Sequence, residues 1–467
     1  MMRINLKFHA KDYKLRISTL VVVLLFLTTA LVAEKPRLVI TTDIGGDPDD
    51  SQSMVRLLVY ANEFDIEGLV ASASGTPGEL GRSITRPDLI RERVKAYGQV
   101  LENLKNHDVN YPDATYLLDI IKSGNKNRGI DFIGQQHDSE ASEHIIAIVD
   151  KEDPRPVNIA IWGGQTDLAQ ALWRVRNDRS PEELKAFIAK IRLYDIADQD
   201  GLFDWITRNF PNLWYILSKA PDGQDKRNAV FRGMYLGGDE ELTSTAWLQK
   251  HVTQNHGPLG RLYLNKGLWT APNPHSALKE GDTPSWFYFL HNGLHEPSQP
   301  HYGGWGGRYE KNAAGFYRDA QDSVESVKTA RATVWRWRPD FQNDFAARMD
   351  RCVAGYSDVN HNPRIVLNDD DGALPLKILA KPGDNVQLNA KGSRDPDNDE
   401  LSFRWWFYQE PSTYKGELTI QGSTMEHAII HVPDDTANNT IHVIFELSDD
   451  GQPPLKSYRR IIIQSVE

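Results

Sequence analysis

From Pro36 to about Thr166, short apolar runs alternate with helix-like stretches, and after Val353 the helical period disappears. Arg37–Thr42 (RLVITT) reads as a buried strand. Asp50–Ala61 then places Met54, Leu57, Leu58 and Ala61 at helical spacing, and Ile66–Ser72 is the next strand. Val157–Trp162, Ile191–Ile196 and Trp214–Leu217 repeat the strand pattern, and Thr166 stands where it would cap the helix that follows Gly163-Gly164. Strand, turn, helix, strand is the signature of βαβ units, so the fold class is α/β, a mainly parallel sheet flanked by helices. The later runs, Leu374–Ala380, Asn385–Asn389, Leu401–Tyr408, His427–His431, Ile441–Leu447 and Tyr458–Gln464, are spaced by turn residues. About 100 residues of that kind is the size of an immunoglobulin-like β-sandwich.

The expected division is therefore an N-terminal segment 1–33, an α/β domain 34–354, a polar linker 355–364 and an Ig/cadherin-like sandwich 365–467. Arg3, Lys7, Lys11, Lys14 and Arg16 precede an uncharged run, Ile17–Ala33, with Ala30 and Ala33 as possible cleavage points. That reads as a secretory signal peptide, with a retained membrane anchor as the lesser alternative, and predicts a periplasmic or secreted bacterial protein with no membrane attachment after cleavage. A single cysteine, Cys352, leaves no internal disulfide and no thiolate zinc site. The net charge of −11 argues against nucleic acid as the partner.

The first strand runs into Thr42-Asp43-Ile44-Gly45-Gly46-Asp47-Pro48-Asp49-Asp50, which sets four carboxylates in eight residues. Charges that close repel unless a cation or protons neutralise them. The carboxyl end of a parallel strand is also where open α/β sheets bind ligands. Oxygen donors without cysteine or clustered histidine suit a hard cation, Ca²⁺ or Mg²⁺, rather than zinc. An aspartate that merely caps a helix beginning near Ser51 would need only one of the four.

This loop resembles the signature of inosine–uridine-type nucleoside hydrolases, calcium-dependent enzymes that cleave N-ribosyl bonds. Trp162-Gly163-Gly164-Gln165-Thr166-Asp167-Leu168-Ala169 is similar to that family's second strand–turn–helix element. A subgroup of exported nucleoside-hydrolase-like proteins, the Sde182-like group described as cellulose-binding, is closer still. It shares Asp198-Gln199-Asp200 with Trp205-Ile206 and Phe210-Pro211, then Glu280-Gly281-Asp282-Thr283-Pro284-Ser285, and Gly303-Gly304-Trp305-Gly306-Gly307-Arg308. The resemblance implies Asp43 as general base and as a calcium contact. It implies Asp49, Asp50, Asp282 and the Trp162 carbonyl as further calcium ligands, with Mg²⁺ the lesser alternative. Asp49 would also bind sugar hydroxyls, and Asp198, Asp200, Trp205 and Trp305 would be substrate-binding residues.

Two departures bear on the substrate. The spacing from Asp43 to Asp49-Asp50 is two residues longer than in the nucleoside hydrolases. Their ribose-recognition segment is replaced by Asp195-Ile196-Ala197-Asp198-Gln199-Asp200. The expected activity is hydrolysis of an N- or O-glycosidic bond in a saccharide or nucleoside-like substrate; the alternative is a non-catalytic polysaccharide-binding protein on the same scaffold.

Other motifs carry less. Glu280–Ser285 also reads as a turn leading into a buried strand. Trp305 among glycines suits either a loop that offers its ring to a sugar or a buried packing residue. His291 and His295 would need a helix to share a metal, and Asn292-Gly293 favours a turn. Asp395-Pro396-Asp397-Asn398-Asp399 opens like an EF-hand, but Glu400 stands where the loop glycine belongs. It is similar instead to the Asp-rich turn of PKD- or cadherin-like sandwiches, where either a structural ion or solvated turn charges would fit. Trp405 and Trp406 point to opposite faces of their strand, so one is core and the other a candidate glycan contact.

Overall fold

The computed structural model describes residues 34–73, 84–263 and 277–466. Strand β1 (Arg37–Thr42) is buried at all six positions, as a central strand covered on both faces must be. It pairs in parallel with β2 (Asp65–Ala71) on one side and β4 (Val157–Ile161) on the other. β3 (Ile121–Ser123) lies beyond β2, while β5 (Ile191–Ile196) and β6 (Trp214–Ser218) continue outward from β4. Two short strands close that edge, β7 (Tyr309–Lys311) antiparallel to β8 (Tyr317–Asp319), which is parallel to β6. The order β3-β2-β1-β4-β5-β6-β8-β7 reverses direction at β1 and β4. Loops leaving the carboxyl ends of those two strands diverge and open a crevice.

Alternation along β1 assigns its side chains to two cores. Leu38 and Ile40 pack with Met54, Leu57 and Leu58 of the Asp49–Val59 helix and with Ile90 and Val94 of the Pro87–His107 helix. Val39 points the other way, to Ile145 and Ile148 of the Glu140–Asp150 helix and Leu168 and Leu172 of the Gln165–Asp178 helix. The last of these helices begins at Gln165 with Gly164 as its N-cap, so Thr166 lies within the first turn instead of capping it.

A hairpin, β9 (Asp322–Val324) with β10 (Val327–Thr329), precedes the Arg338–Asp350 helix. The remaining strands are β11 (Leu376–Ala380), β12 (Asn385–Asn389), β13 (Ser402–Phe407), β14 (Thr419–Gln421), β15 (His427–His431), β16 (Thr440–Ser448) and β17 (Lys456–Ser465). They form one sheet β11-β17-β16-β13 and a second β12-β15-β14. Val386, Leu388 and Ile430 of one sheet meet Trp405, Phe445, Ile461 and Ile463 of the other in a single core, which makes the unit a β-sandwich. The Trp405 ring stacks on Phe445 at 4.0 Å between centroids. Trp406 leans on Trp337 and donates its indole N–H to Glu446 at 2.7 Å, so it serves packing.

The sandwich is bonded to the α/β part through buried charge. Asp322 is wholly buried and accepts from Arg308 Nε, Arg336 Nη1 and the Tyr408 hydroxyl at 2.7, 2.7 and 2.6 Å. Arg460, also wholly buried, donates to the Leu294 and Gly303 carbonyls, both at 2.8 Å. Among the described residues no helix is long and apolar enough to cross a membrane. The expected signal segment 1–33 lies outside the described residues.

Candidate functional site

The crevice at the carboxyl ends of β1, β4, β5 and β6 is a cavity of about 690 Å³. The loop after β1 supplies Asp43, Asp47, Asp49 and Asp50; Trp162 enters from β4, Asp198 and Gln199 from β5, and Lys219 to Gln224 from β6. Asp282 comes from about 230 residues further along the chain. It immediately precedes the Thr283–Phe287 helix, a short helix in place of the strand expected there. One carboxylate oxygen from each of Asp49, Asp50 and Asp282 lies within 4.8 Å of the other two.

Asp43 and Asp50 are 5% and 3% exposed. Asp50 accepts from the Thr42 hydroxyl. Pro48, the N-cap of the Asp49–Val59 helix, makes no side-chain cap, and Asp49 Oδ1 accepts from Asp50 N at 3.2 Å in the first turn. Asp43 lies against the turn after β4: a Cβ on Gly163 would sit 2.4 Å from Asp43 Oδ1, which is why glycine stands there. The Thr41 and Ser72 hydroxyls both donate to the Gly163 carbonyl at 2.9 Å and hold that turn. Neither residue is singled out by the sequence, because a hydroxyl in a strand carries no pattern.

Asp282 is 1% exposed, and its Oδ2 is buried with no hydrogen-bond partner. Burial, and then the negative charges of Asp49, Asp50, Asp43 and Asp47, push its carboxyl well above the usual carboxylate range. A set of acids this close is stable only with protons or a cation among them. The donors are all oxygen, which fits a hard divalent ion. The Trp162 carbonyl, the one main-chain ligand expected, accepts from the Gln199 side-chain amide, and its indole N–H donates to Ser285 Oγ at 2.9 Å.

Asp198 also lines the cavity, in a left-handed conformation (φ 54°) that follows Ala197 at φ 70°. Its Oδ1 accepts from Phe203 N and Gln165 Nε2 at 2.9 and 3.1 Å, and Lys219 Nζ is 3.5 Å from Oδ2. Three other expected substrate contacts are placed elsewhere. Asp200 turns back to the Gln165–Asp178 helix, where it accepts from Thr166 N and Oγ1 at 2.9 and 2.6 Å. Trp205 sits edge-on to Phe210 with the Arg176 guanidinium beside it, half-buried against the core on the far face of the sheet. Trp305 is 3% exposed among Phe287, Phe341 and Tyr458. Its glycines permit close packing instead of motion: a Cβ on Gly306 would lie 2.3 Å from the Tyr288 backbone nitrogen.

Behind Asp198, Asp195 is wholly buried and accepts from Tyr215 OH and Gln165 Nε2 at 2.7 and 2.8 Å. Burial, then the charge of Asp198, raises its carboxyl to about 8. The folded chain therefore holds a proton that the unfolded chain releases near pH 4, and this contribution to stability falls as the pH rises from about 4 to about 8. Asp195→Asn removes the decline. Urea unfolding from pH 4 to pH 8 should show the variant gaining on the wild type as the pH rises; parallel curves would contradict the assignment.

Residues 37–309 match the model of the nucleoside hydrolase-like domain of the cellulose-binding protein Sde182, and residues 385–465 match that of the C-terminal domain of Sde0182. The chain belongs to the Sde182 nucleoside hydrolase-like family. A solved structure of a nucleoside hydrolase-related hypothetical protein from Saccharophagus degradans, described as associated with carbohydrate metabolism, is 34% identical. The match covers 93% of this chain and 100% of that one, with a TM-score of 0.78. The PKD domain from the KIAA 1837 protein aligns with 20% of this chain and 82% of its own at 14% identity, with a TM-score of 0.15, too slight to weigh. Among curated proteins, no sequence matches this chain. Membership of the Sde182 family rests on the model matches and on the S. degradans structure together.

Proposed function

We propose that this chain is an exported, calcium-dependent glycosidase that hydrolyses a glycosidic bond of a saccharide, with Asp43 as the base. The observation that carries the reading is the convergence of Asp282 on Asp49 and Asp50, two of the aspartates that line the cavity with Asp43 at the sheet's switch point. Calcium held by those three carboxylates would supply the charge that acidifies a water and grips two neighbouring sugar hydroxyls. Asp43 would accept a proton from water as its oxygen bonds to the anomeric carbon; the glycosidic bond breaks, the leaving group takes a proton from solvent, and direct attack would invert the configuration. Asp49, the least buried of the three, also faces the sugar hydroxyls. Asp198, with Lys219 beside it, supplies hydrogen bonds on the opposite wall.

Support for a saccharide over a purine or pyrimidine nucleoside comes from that wall. Asp198, Gln199, Lys219, Asp222 and Gln224 line it, and such groups pair with hydroxyls better than with a flat base. The likeness to a protein associated with carbohydrate metabolism points the same way.

The test is a panel of nucleosides and plant or algal oligosaccharides, assayed for free base and for reducing ends with calcium, with chelator, and with calcium restored. Reducing ends that appear from an oligosaccharide, vanish with chelator and return with calcium are the expected result. Base release from inosine or uridine would replace the saccharide by a nucleoside. Silence throughout with glycan binding intact would favour a binding protein that keeps the fold.

A further inference from the structure

The sandwich holds a second group of carboxylates that this reading does not use. Asp395, Asp397 and Asp399 lie between β12 and β13, and one oxygen from each is within 4.8 Å of the others. Asp449, between β16 and β17, is 5% exposed. Its Oδ1 accepts from Asn360 Nδ2, Gly451 N and Leu455 N at 2.9, 3.1 and 2.9 Å, while its Oδ2 is buried with no hydrogen-bond partner. Asp395 is used in the same way. Its Oδ1 accepts from the N–H groups of Asp397 and Asp399 at 2.8 and 3.1 Å, and its Oδ2 is buried and unpartnered.

These aspartates are neighbours across the two turns. The charge of Asp395 acts on Asp449, and a Cβ on Gly451 would sit 2.5 Å from Asp399 Oδ2. Among the described residues no lysine or arginine pairs with Asp395, Asp399 or Asp449. A buried carboxylate oxygen without a donor is costly, and two of them among like charges ask for a cation. With oxygen donors alone, that cation is hard and of the calcium class.

We infer that Asp395, Asp397, Asp399 and Asp449 bind a calcium-class divalent cation, distinct from any ion in the catalytic cavity, that fastens the segment 355–364 to the sandwich. Two of these residues hold that segment directly. Asp397 accepts from His361 N at 2.7 Å and lies 3.0 Å from His361 Nδ1, and Asp449 takes the Asn360 amide. His361 in turn stacks on Tyr356 at 3.9 Å, and its Nε2 is 2.9 Å from Nδ1 of His107, on the Pro87–His107 helix of the α/β part. A cation that orders the aspartates thus orders the joint.

The test uses the full chain, stripped with chelator and titrated with calcium chloride by calorimetry, alongside thermal melts with and without calcium. Asp282→Asn is expected to retain a calcium site and a calcium-dependent rise in Tm, and Asp395→Asn/Asp449→Asn to lose both contributions from the sandwich. If the double variant fails to fold, Asp399→Asn in the Asp282→Asn background must abolish or weaken the remaining site. An Asp282→Asn protein that binds no calcium, or a sandwich variant that titrates as its parent does, overturns the inference. A wild type with a single site that survives Asp282→Asn would uphold the sandwich site while removing the ion from the cavity, so the two readings fail separately.

Discussion

On the proposed reading, Asp43→Asn is expected to lower turnover of whichever oligosaccharide the panel identifies by about 10²–10⁴-fold, the usual loss when a general base is removed. The amide keeps the size of the carboxylate, and the contact with Gly163 leaves room for nothing larger. It cannot take a proton from water. The loss should fall on kcat, with KM little changed, because Asp49 and Asp198 still line the cavity. Calcium affinity should largely persist, since Asp49, Asp50 and Asp282 remain. Turnover by reducing-end release and a calcium titration of the same preparation check both halves. Undiminished turnover would remove Asp43 as the base, and calcium lost together with turnover would make it chiefly a ligand.

Glu280→Ala destabilises the chain by about 3–5 kcal/mol, because it strands a buried guanidinium. Arg56 and Glu280 are both wholly buried, with Arg56 Nη2 donating to Glu280 Oε1 at 3.0 Å and to Gln342 Oε1 at 2.7 Å. Thr283 Oγ1 donates to Glu280 Oε2 at 2.8 Å, and the guanidinium lies 3.8 Å over the Phe345 ring. The pair also ties the two halves of the acidic cluster. Arg56 is on the helix that opens with Asp49 and Asp50, and Glu280 is two residues before Asp282. Calcium affinity in the cavity should therefore fall with stability. Urea unfolding measures the first effect and calorimetry the second. Arg56→Met/Glu280→Leu should recover most of the stability, since a packed apolar pair replaces a buried ion pair at little cost. A loss under about 1 kcal/mol in Glu280→Ala would show that the pair does not hold these segments together.

The two architectures were legible because their signals are local. A central parallel strand is covered on both faces, so the apolar runs Leu38–Ile40 and Ile159–Ile161 stand out, and strands such as Asn385–Asn389 alternate visibly. β7 to β10 and β14 have three residues each, too few for a period to register. The aspartates after β1 were conspicuous for a similar reason: four of them crowd one loop, and their repulsion can be argued before any fold is known.

The tryptophans show the opposite case. Trp305 and Trp205 carry the same side chain whether they face a sugar or a core, and a glycine-rich neighbourhood serves close packing as readily as motion. Only the approach of Phe287 and Tyr458 to one ring, and of Phe210 and Arg176 to the other, decides it. Thr41, Ser72 and Gln165 likewise gain their places through partners far along the chain.

By itself, then, the sequence determined the parallel sheet, the sandwich and the acidic loop at the end of the first strand, because backbone periodicity and charge crowding act between near neighbours in the chain. The tertiary structure alone decided that Asp449 meets the Asp395 turn and that Trp305 faces inward, and it brings Asp282 to Asp49 and Asp50, a meeting that only the family resemblance had implied. Those outcomes depend on which distant segments pack together, and no local pattern encodes that.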